Sequence, residues 1–294
     1  VVPNVKYHVI TVTSIFLALG IGIYIGFMLD AQDLLTSQKQ TMVSELEEKF
    51  DYIKEENQKT KKEIEQVSNE NKMLQEFNKL TYSEIIKNKL DGFKIAIIET
   101  NDDYIDQGVK QTLELSGAKV TSITTIKDIF LSSEDKLKEV YTNITGREKI
   151  EGNIFKVVMD EITLSIIKGE VSPLVQALAE QGIININGLY DQSVDHIVLI
   201  GGSKKNNYNK FENIDEKIIN VAKKNNKNIV GVERTDAKYS YAERYKNNRI
   251  SSIDNIDSVI GKVSLVITLK GSPGNYGVKP SADSLIPDIS SLSY

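Results

Sequence analysis

The chain has 294 residues, a formal net charge of −5 from 36 Lys and Arg against 41 Asp and Glu, and no cysteine. Without cysteine there are no disulfide frameworks, thiolate metal sites or cysteine nucleophiles. The acidic balance argues against a nucleic-acid partner, which calls for a basic surface, and the length leaves room for one or two domains beyond a membrane segment.

The first predicted element is apolar. Residues 9–29 carry no charge, and about twenty such residues in a helix cross a hydrocarbon core of roughly 30 Å. A secretory signal has a shorter apolar region followed by small residues at its cleavage site. This run instead closes on Phe27, Met28, Leu29 and Asp30. Residues 1–30 therefore read as a retained anchor in the lipid bilayer. Lys6 and the terminal amine precede the run, and Asp30 and Asp33 follow it. The positive-inside rule then expects a cytoplasmic N-terminus and an extracytoplasmic bulk. Ala18, Gly22 and Gly26 form a small-residue step that lets two such helices approach closely.

Residues 31–91 change to Glu, Lys, Gln and Asn, with no glycine or proline until Gly92. On a heptad frame Val43, Phe50, Asn57, Ile64, Asn71 and Asn78 fall at a, while Leu46, Ile53, Thr60, Val67, Leu74 and Thr81 fall at d. This 3-4 spacing over more than four heptads predicts a coiled coil, on the order of 90 Å long at 1.5 Å per residue. The Asn residues at a weaken the seam while specifying register. Glu56 at g can meet Lys61 at e of a partner, whereas Lys49 faces Lys54. Two chains anchored from the same end pair most easily as a parallel homodimer. The polar seam equally leaves room for the helix of a different protein.

Residues 92–270 read as a Rossmann-like three-layer α/β domain with a mainly parallel sheet. The apolar run at 93–99 is a strand, followed by a polar loop at 100–103, a helix at 105–116 and a strand at 118–123. Helical stretches follow at 133–142 and 154–181, the latter interrupted by Gly169 and Pro173. Strands are predicted at 196–200, 228–232 and 249–253, and helices near 215–224 and 256–269. Residues 271–294, rich in Ser, Pro and Gly, are expected to form an irregular tail.

Candidate chemistry is sparse. Glu99, Asp102, Asp103 and Asp106 follow the first strand and suit either Mg²⁺ or a solvated loop entering a helix N-terminus. Gly201-Gly202-Ser203-Lys204 follows a strand but lacks the spacing of a phosphate loop, so it reads as a turn. His196 is the sole histidine of the domain and begins a strand, a structural position. Asn143-Ile-Thr145 matches a glycosylation sequon. No catalytic, cofactor or metal residues are assigned, and the chain does not read as an enzyme.

Three stretches together carry a family resemblance: YHVITVTSIFLALGIGIYIG near the start, FKIAIIETNDDYIDQGVKQTLELSGAKVT after the rod, and SSIDNIDSVIGKVSLVITLKGSPGNYGVKPSADSLIP at the close. In that order they resemble the bacterial copper-transporter family, also called MctB or SteB. Most specific are Ile253-Asp254-Asn255 before a helix and Asn275-Tyr276-Gly277 in the tail. The resemblance implies two roles. One is copper transport, efflux and homeostasis, which gave the family its name, with members described as outer-membrane channels. The other is a membrane-anchored coiled-coil dimer that works with a SteA-type partner and a peptidoglycan hydrolase in cell division.

Soft Cys and Met ligands suit copper(I), yet Met28, Met42, Met73 and Met159 are scattered and only two histidines are present. One apolar helix does not enclose a pore, and strands for a closed barrel are not evident. Copper thus enters by family name only. The preferred reading is a non-enzymatic envelope scaffold, with copper transport as one rival and an envelope ligand sensor as another. A polar-lined cleft near Glu99 and Gly201 is the mark expected of a sensor.

Overall fold

The computed structural model describes residues 5–100, 102, 107–147, 149–150, 152–206 and 209–288. Helix α1, Val5–Ile86, is continuous over 82 residues, as expected where neither glycine nor proline occurs between Gly26 and Gly92. The chain divides into two compact units, residues 1–74 and 75–294.

In the first unit Val5–Asp30 is long and apolar enough to cross a membrane, and none of it is buried within the chain. The hydroxyls of Thr11, Thr13 and Ser14 each donate to the carbonyl four residues earlier, at 2.8 Å. Their polarity is thereby satisfied inside the helix, as a lipid environment requires. Ala18, Gly22 and Gly26 lie on this segment, and nothing approaches either glycine within 4 Å. Farther along, Val43, Leu46, Phe50, Ile53, Ile64, Val67 and Leu74 are between 53% and 69% exposed. Asn57 turns its amide back to the Ile53 carbonyl at 2.8 Å, while Thr60, Asn71 and Asn78 lie on the same helix.

The second unit is built on a seven-stranded sheet. Its strands are β1 (Lys94–Glu99), β2 (Lys119–Ile126), β3 (Ile184–Gly188), β4 (His196–Ile200), β5 (Asn228–Val232), β6 (Ser251–Ile253) and β7 (Asn275–Tyr276). They lie in the order β3-β2-β1-β4-β5-β6-β7, all parallel except β3, which runs antiparallel to β2. The helices are α2 (Gln107–Leu115), α3 (Ile129–Ser132), α4 (Glu134–Thr145), α5 (Ile154–Lys168), α6 (Pro173–Glu180), α7 (Glu216–Lys224), α8 (Ala242–Asn247) and α9 (Val259–Lys270). A single π turn, Phe211–Asp215, leads into α7.

Strand alternation divides the core into two layers. Ala96, Ile98, Ile197, Leu199 and Ile229 face the cluster formed with α3 to α8. Ile95, Ile97, Val198, Ile200, Val230 and Val232 face the other, with α2, α9 and the end of α1. A bulge in the β1–β2 register, where Ile95 pairs with Val120 but Ala96 pairs with Ser122, skips Thr121. It lets Val120 and Ile123 both pack on the second face, which a strict two-residue period forbids.

Two features go beyond the sequence expectation. The second compact unit takes in the close of α1, from Gln75. Ile86 and Leu90 are fully buried, and Tyr82 shares a 2.7 Å hydrogen bond with Thr112 of α2, so the close of α1 is core. The stretch at 154–181 is interrupted where the sequence places the break: two helices bent by 109°, divided where Gly169 takes a left-handed φ of 75° and Pro173 opens α6. Edge strand β3 was not predicted, because Ile-Asn-Ile-Asn offers only half an apolar run.

The tail is fastened to the sheet. Through β7 it joins the sheet beside β6. The Asp254 carboxylate accepts the backbone N–H groups of Val278 at 2.7 Å and Lys279 at 2.9 Å. Asn275 accepts from Ser252 and donates to Asp283, and Lys246 reaches Asp283 at 2.6 Å. Residues 289–294 lie outside the described residues.

Gly277 has a φ of +142°, and a Cβ there collides with the Asp254 carboxylate. Gly277→Ala is expected to lower stability by about 1–3 kcal/mol and to open residues 271–288 to protease. Denaturant unfolding and limited proteolysis measure this; unchanged values contradict the latch.

Candidate functional site

Strand order reverses between β1 and β4, and in open α/β sheets ligands collect at such a switch point beyond the strands' carboxyl ends. Among the described residues, Tyr245 occupies the β4–β5 side of it. Gly201 and Gly231 leave a slot for the Tyr245 side chain: a Cβ at Gly201 strikes its hydroxyl, and one at Gly231 strikes its ring. Tyr245, fully buried, donates its O–H to Asp215 Oδ1 at 2.7 Å. The Thr100 hydroxyl lies between two acceptors, Ile200 O at 3.3 Å and Asp215 Oδ1 at 3.4 Å.

Asp215 is fully buried, and its Oδ2 has no hydrogen-bond partner. Burial pushes its carboxyl up to about 7, against the opposing pull of the Tyr245 hydrogen bond, the Lys210 charge and the Thr100 hydroxyl. The same burial and the adjacent Asp215 charge hold the Tyr245 phenol well above its ordinary value. Lys210, 1% exposed, pairs with Asp128 Oδ1 at 2.7 Å. The next carboxylate along the sheet, Glu233, is also buried. It accepts from Lys279 Nζ at 2.6 Å, from the Tyr241 N–H at 2.6 Å and from the Ser240 hydroxyl.

A crevice of about 420 Å³ opens away from this plug, between the loops that follow β4 and β5. Phe211 and Tyr241 are buried beneath it, edge-to-face at 5.2 Å. Lys205, Lys238, Arg244 and Glu212 add charge. Arg244 pairs with Glu212 at 2.6 Å and lies 5.1 Å over the Phe211 ring. The two loops are joined by reciprocal backbone bonds, Ser203 N–H to Tyr239 O at 3.1 Å and Tyr239 N–H to Ser203 O at 2.9 Å.

The predicted polar residues are mostly structural. Glu99 is buried and accepts from the Thr125 hydroxyl at 2.6 Å. Asp102 accepts the Asp128 N–H at 3.1 Å. Asp103 and Asp106 lie outside the described residues, and among those described no group of three or more His, Cys, Asp or Glu assembles for a metal. Gly201-Gly202-Ser203-Lys204 leaves β4 as irregular chain, with Gly202 at a φ of 71°, Ser203 bridging to Tyr239 and Lys204 3.8 Å from Asp236. His196 packs edge-on to Phe93 at 4.9 Å. Burial lowers its pKa, partly offset by Asp195. In the sequon, Thr145 donates to the Tyr141 carbonyl at 2.8 Å on the last turn of α4.

Sequence reasoning missed the crevice and Asp215. The available signals were the aromatic spacing of Tyr239, Tyr241 and Tyr245 and the Lys-Asn run from 204 to 210; neither declares that two distant loops pair.

The family model described as "Copper transport outer membrane protein, MctB" matches residues 3–287. Among curated proteins, none matches this sequence.

The raised carboxyl of Asp215 has a definite consequence for stability. The folded state holds the proton more tightly than the unfolded chain, whose ordinary value is near 3.8. Its stabilising contribution is therefore complete below about pH 4 and is lost as pH rises through about 7, at no more than about 1.4 kcal/mol per pH unit. Asp215→Asn, neutral throughout, is expected to remove that slope and to gain on the native chain as pH rises. Urea unfolding at pH 4.5, 6 and 8 checks this; parallel pH profiles for the two proteins contradict it.

Proposed function

The chain belongs to the MctB family of copper transport outer membrane proteins, and from that premise we propose that it acts as a membrane-anchored dimeric scaffold of the cell envelope. The family description and the apolar Val5–Asp30 helix both point to membrane association. The observation that carries the finer reading is the seam of α1. Seven apolar residues at a and d, from Val43 to Leu74, are more than half exposed. Fully burying such a side chain is worth roughly 1.5–3 kcal/mol, so a second copy in parallel register gains at each of those seven positions. Asn57, Asn71 and Asn78 at a favour one register over its neighbours. The bulk lies outside the cytoplasm in this reading, and the α/β unit engages a cell-wall or division partner, a SteA-like protein or a peptidoglycan hydrolase. No step of it requires catalysis.

Copper transport is the second reading, favoured by the family's description. Copper is then cargo, and the chain brings neither cysteine nor a clustered methionine set to hold it. Loss of the gene separates the two. Raised cellular copper that an intact copy reverses establishes the transport reading, while normal copper with a separation defect supports the scaffold.

Because the chain has no cysteine, a single introduced one is a unique reporter. Asn57→Cys, at a, is expected to crosslink to itself in oxidised membranes, whereas Lys62→Cys, on the outer face, is not. Ile64→Asp with Leu74→Asp is expected to abolish that crosslink and to halve the sedimenting mass of the solubilised protein. Equal crosslinking at positions 57 and 62, or an unchanged mass, removes the seam from the proposal.

A further inference from the structure

We propose that the open edge of the sheet at β3 pairs with the same edge of a second copy, antiparallel about Ile186, and so joins two sheets into one. The contact lies on the α/β unit, is separate from the seam of α1 and does not require it.

The two edges of the sheet are finished differently. Beyond β7 the tail returns to cover the edge. Tyr276 bridges to Ser284, the Asp283 N–H donates to Asn275 O at 2.7 Å, and the Gly277 N–H donates to Ser284 O at 3.0 Å. Beyond β3, among the described residues, no further strand follows. Two bonds fix which of its backbone groups face outward. The Lys127 N–H reaches Ile183 O at 3.3 Å, and the Leu189 N–H reaches Thr121 O at 3.2 Å. Alternate residues of an antiparallel strand address the same neighbour, so 183, 185, 187 and 189 address β2. The N–H and C=O groups of Ile184, Ile186 and Gly188 therefore point away from the sheet. Asn185, Asn187 and Gly188 are exposed along this edge.

Proteins ordinarily guard such an edge with charge, proline or a bulge. Residues 181–190 contain no charged residue and no proline, and the β2–β3 register runs without a shift. The edge is left ready to pair.

Charge selects the occupant. At −5 the chain is acidic, so two copies approach most easily along a neutral strand. The ends of this strand carry opposite signs. Lys127 stands at its opening, where a Cβ on Gly182 falls 3.9 Å from the Lys127 Nζ. Asp191 lies exposed just past its close. Neither enters an ion pair among the described residues. Antiparallel reversal turns Asp191 of each copy toward Lys127 of the other, so the match is made twice, as a two-fold contact requires. Between those ends Ile186 meets Ile186, Asn185 meets Asn187 and Ile184 meets Gly188. A strand of another sequence gains the backbone bonds without the matched ends. Five residues a side make a small contact, at the transient end of interface sizes. Tethering by the Val5–Asp30 helix raises the effective concentration of copies in one bilayer, so the pairing belongs to the cell rather than to dilute detergent. In this respect alone it rests on the anchored reading above.

Asn185→Cys and Asn187→Cys, on separately tagged copies of the full chain, test the register, because the chain has no cysteine of its own. Across the two-fold the two positions form a non-hydrogen-bonded pair with Cα atoms about 4.5 Å apart. Each lies diagonally from its own counterpart, beyond the roughly 7 Å that a disulfide spans. Oxidation of cells making both copies is expected to give a mixed dimer at least about tenfold above either variant alone, on that geometric ground. Both side chains are exposed, so neither change disturbs the core. The mixed dimer is expected to persist when Ile64→Asp and Leu74→Asp break the seam of α1. It is expected to fall with Lys127→Glu and to return when Asp191→Lys is added. Fractionation of the same cells scores membrane anchoring independently. The proposal is overturned if mixed copies crosslink no better than either variant alone, if the seam substitutions abolish the crosslink, if Lys127→Glu leaves it unchanged, or if the cysteines capture only a different protein.

Discussion

A parallel sheet buried on both faces demands cover on both, and that demand organises the α/β unit. The central strands β1, β4 and β5 send side chains alternately into two separate clusters. One face takes α3 to α8. Among the described residues the other takes α2, α9 and the end of α1 with the turn that follows it, where Ile86 and Leu90 are fully buried. The long helix therefore does not merely lead to the domain; its end is part of the domain's core. Within that core, Tyr82 and Thr112 satisfy each other across α1 and α2, so a buried hydroxyl pair helps set how the helix ends.

The carboxyl ends of the strands obey a different rule. Polar side chains gathered there must find partners once they leave water. Glu233 and Asp254 are held by several donors each, whereas Asp215 retains an oxygen without one. Burial of that carboxyl is what raises its pKa. Among the described residues, Tyr245 lies against Gly201, and a crevice lies between the β4 and β5 loops, nearer Lys205 and Arg244.

Membership of the copper transport family sets the context without supplying a ligand set. Among the described residues no group of three or more His, Cys, Asp or Glu assembles; the chain has an apolar helix, exposed apolar side chains farther along α1 and an α/β unit. The family-like residues are explained by packing. Asp254 and Gly277, distant in sequence, are in contact, and together they turn the tail back along β6. A motif that reads as a signature is here the clasp of an edge strand.

The amino-acid sequence by itself determined the local elements. The uncharged run at 9–29, the unbroken helical composition up to Gly92 and the apolar strands at 93–99, 196–200 and 228–232 are all signals of near neighbours, and near neighbours dictate helix, strand and amphipathic face. The mainly parallel α/β class followed from their alternation. Only the tertiary structure decided that β3 joins the edge antiparallel, that the tail completes the sheet, and that Asp215, Tyr245 and Thr100 meet. Those outcomes depend on contacts between residues 23 to 115 positions apart, where no periodicity reaches, and on volumes such as the missing Cβ of Gly201 that matter only when a distant ring arrives to fill them.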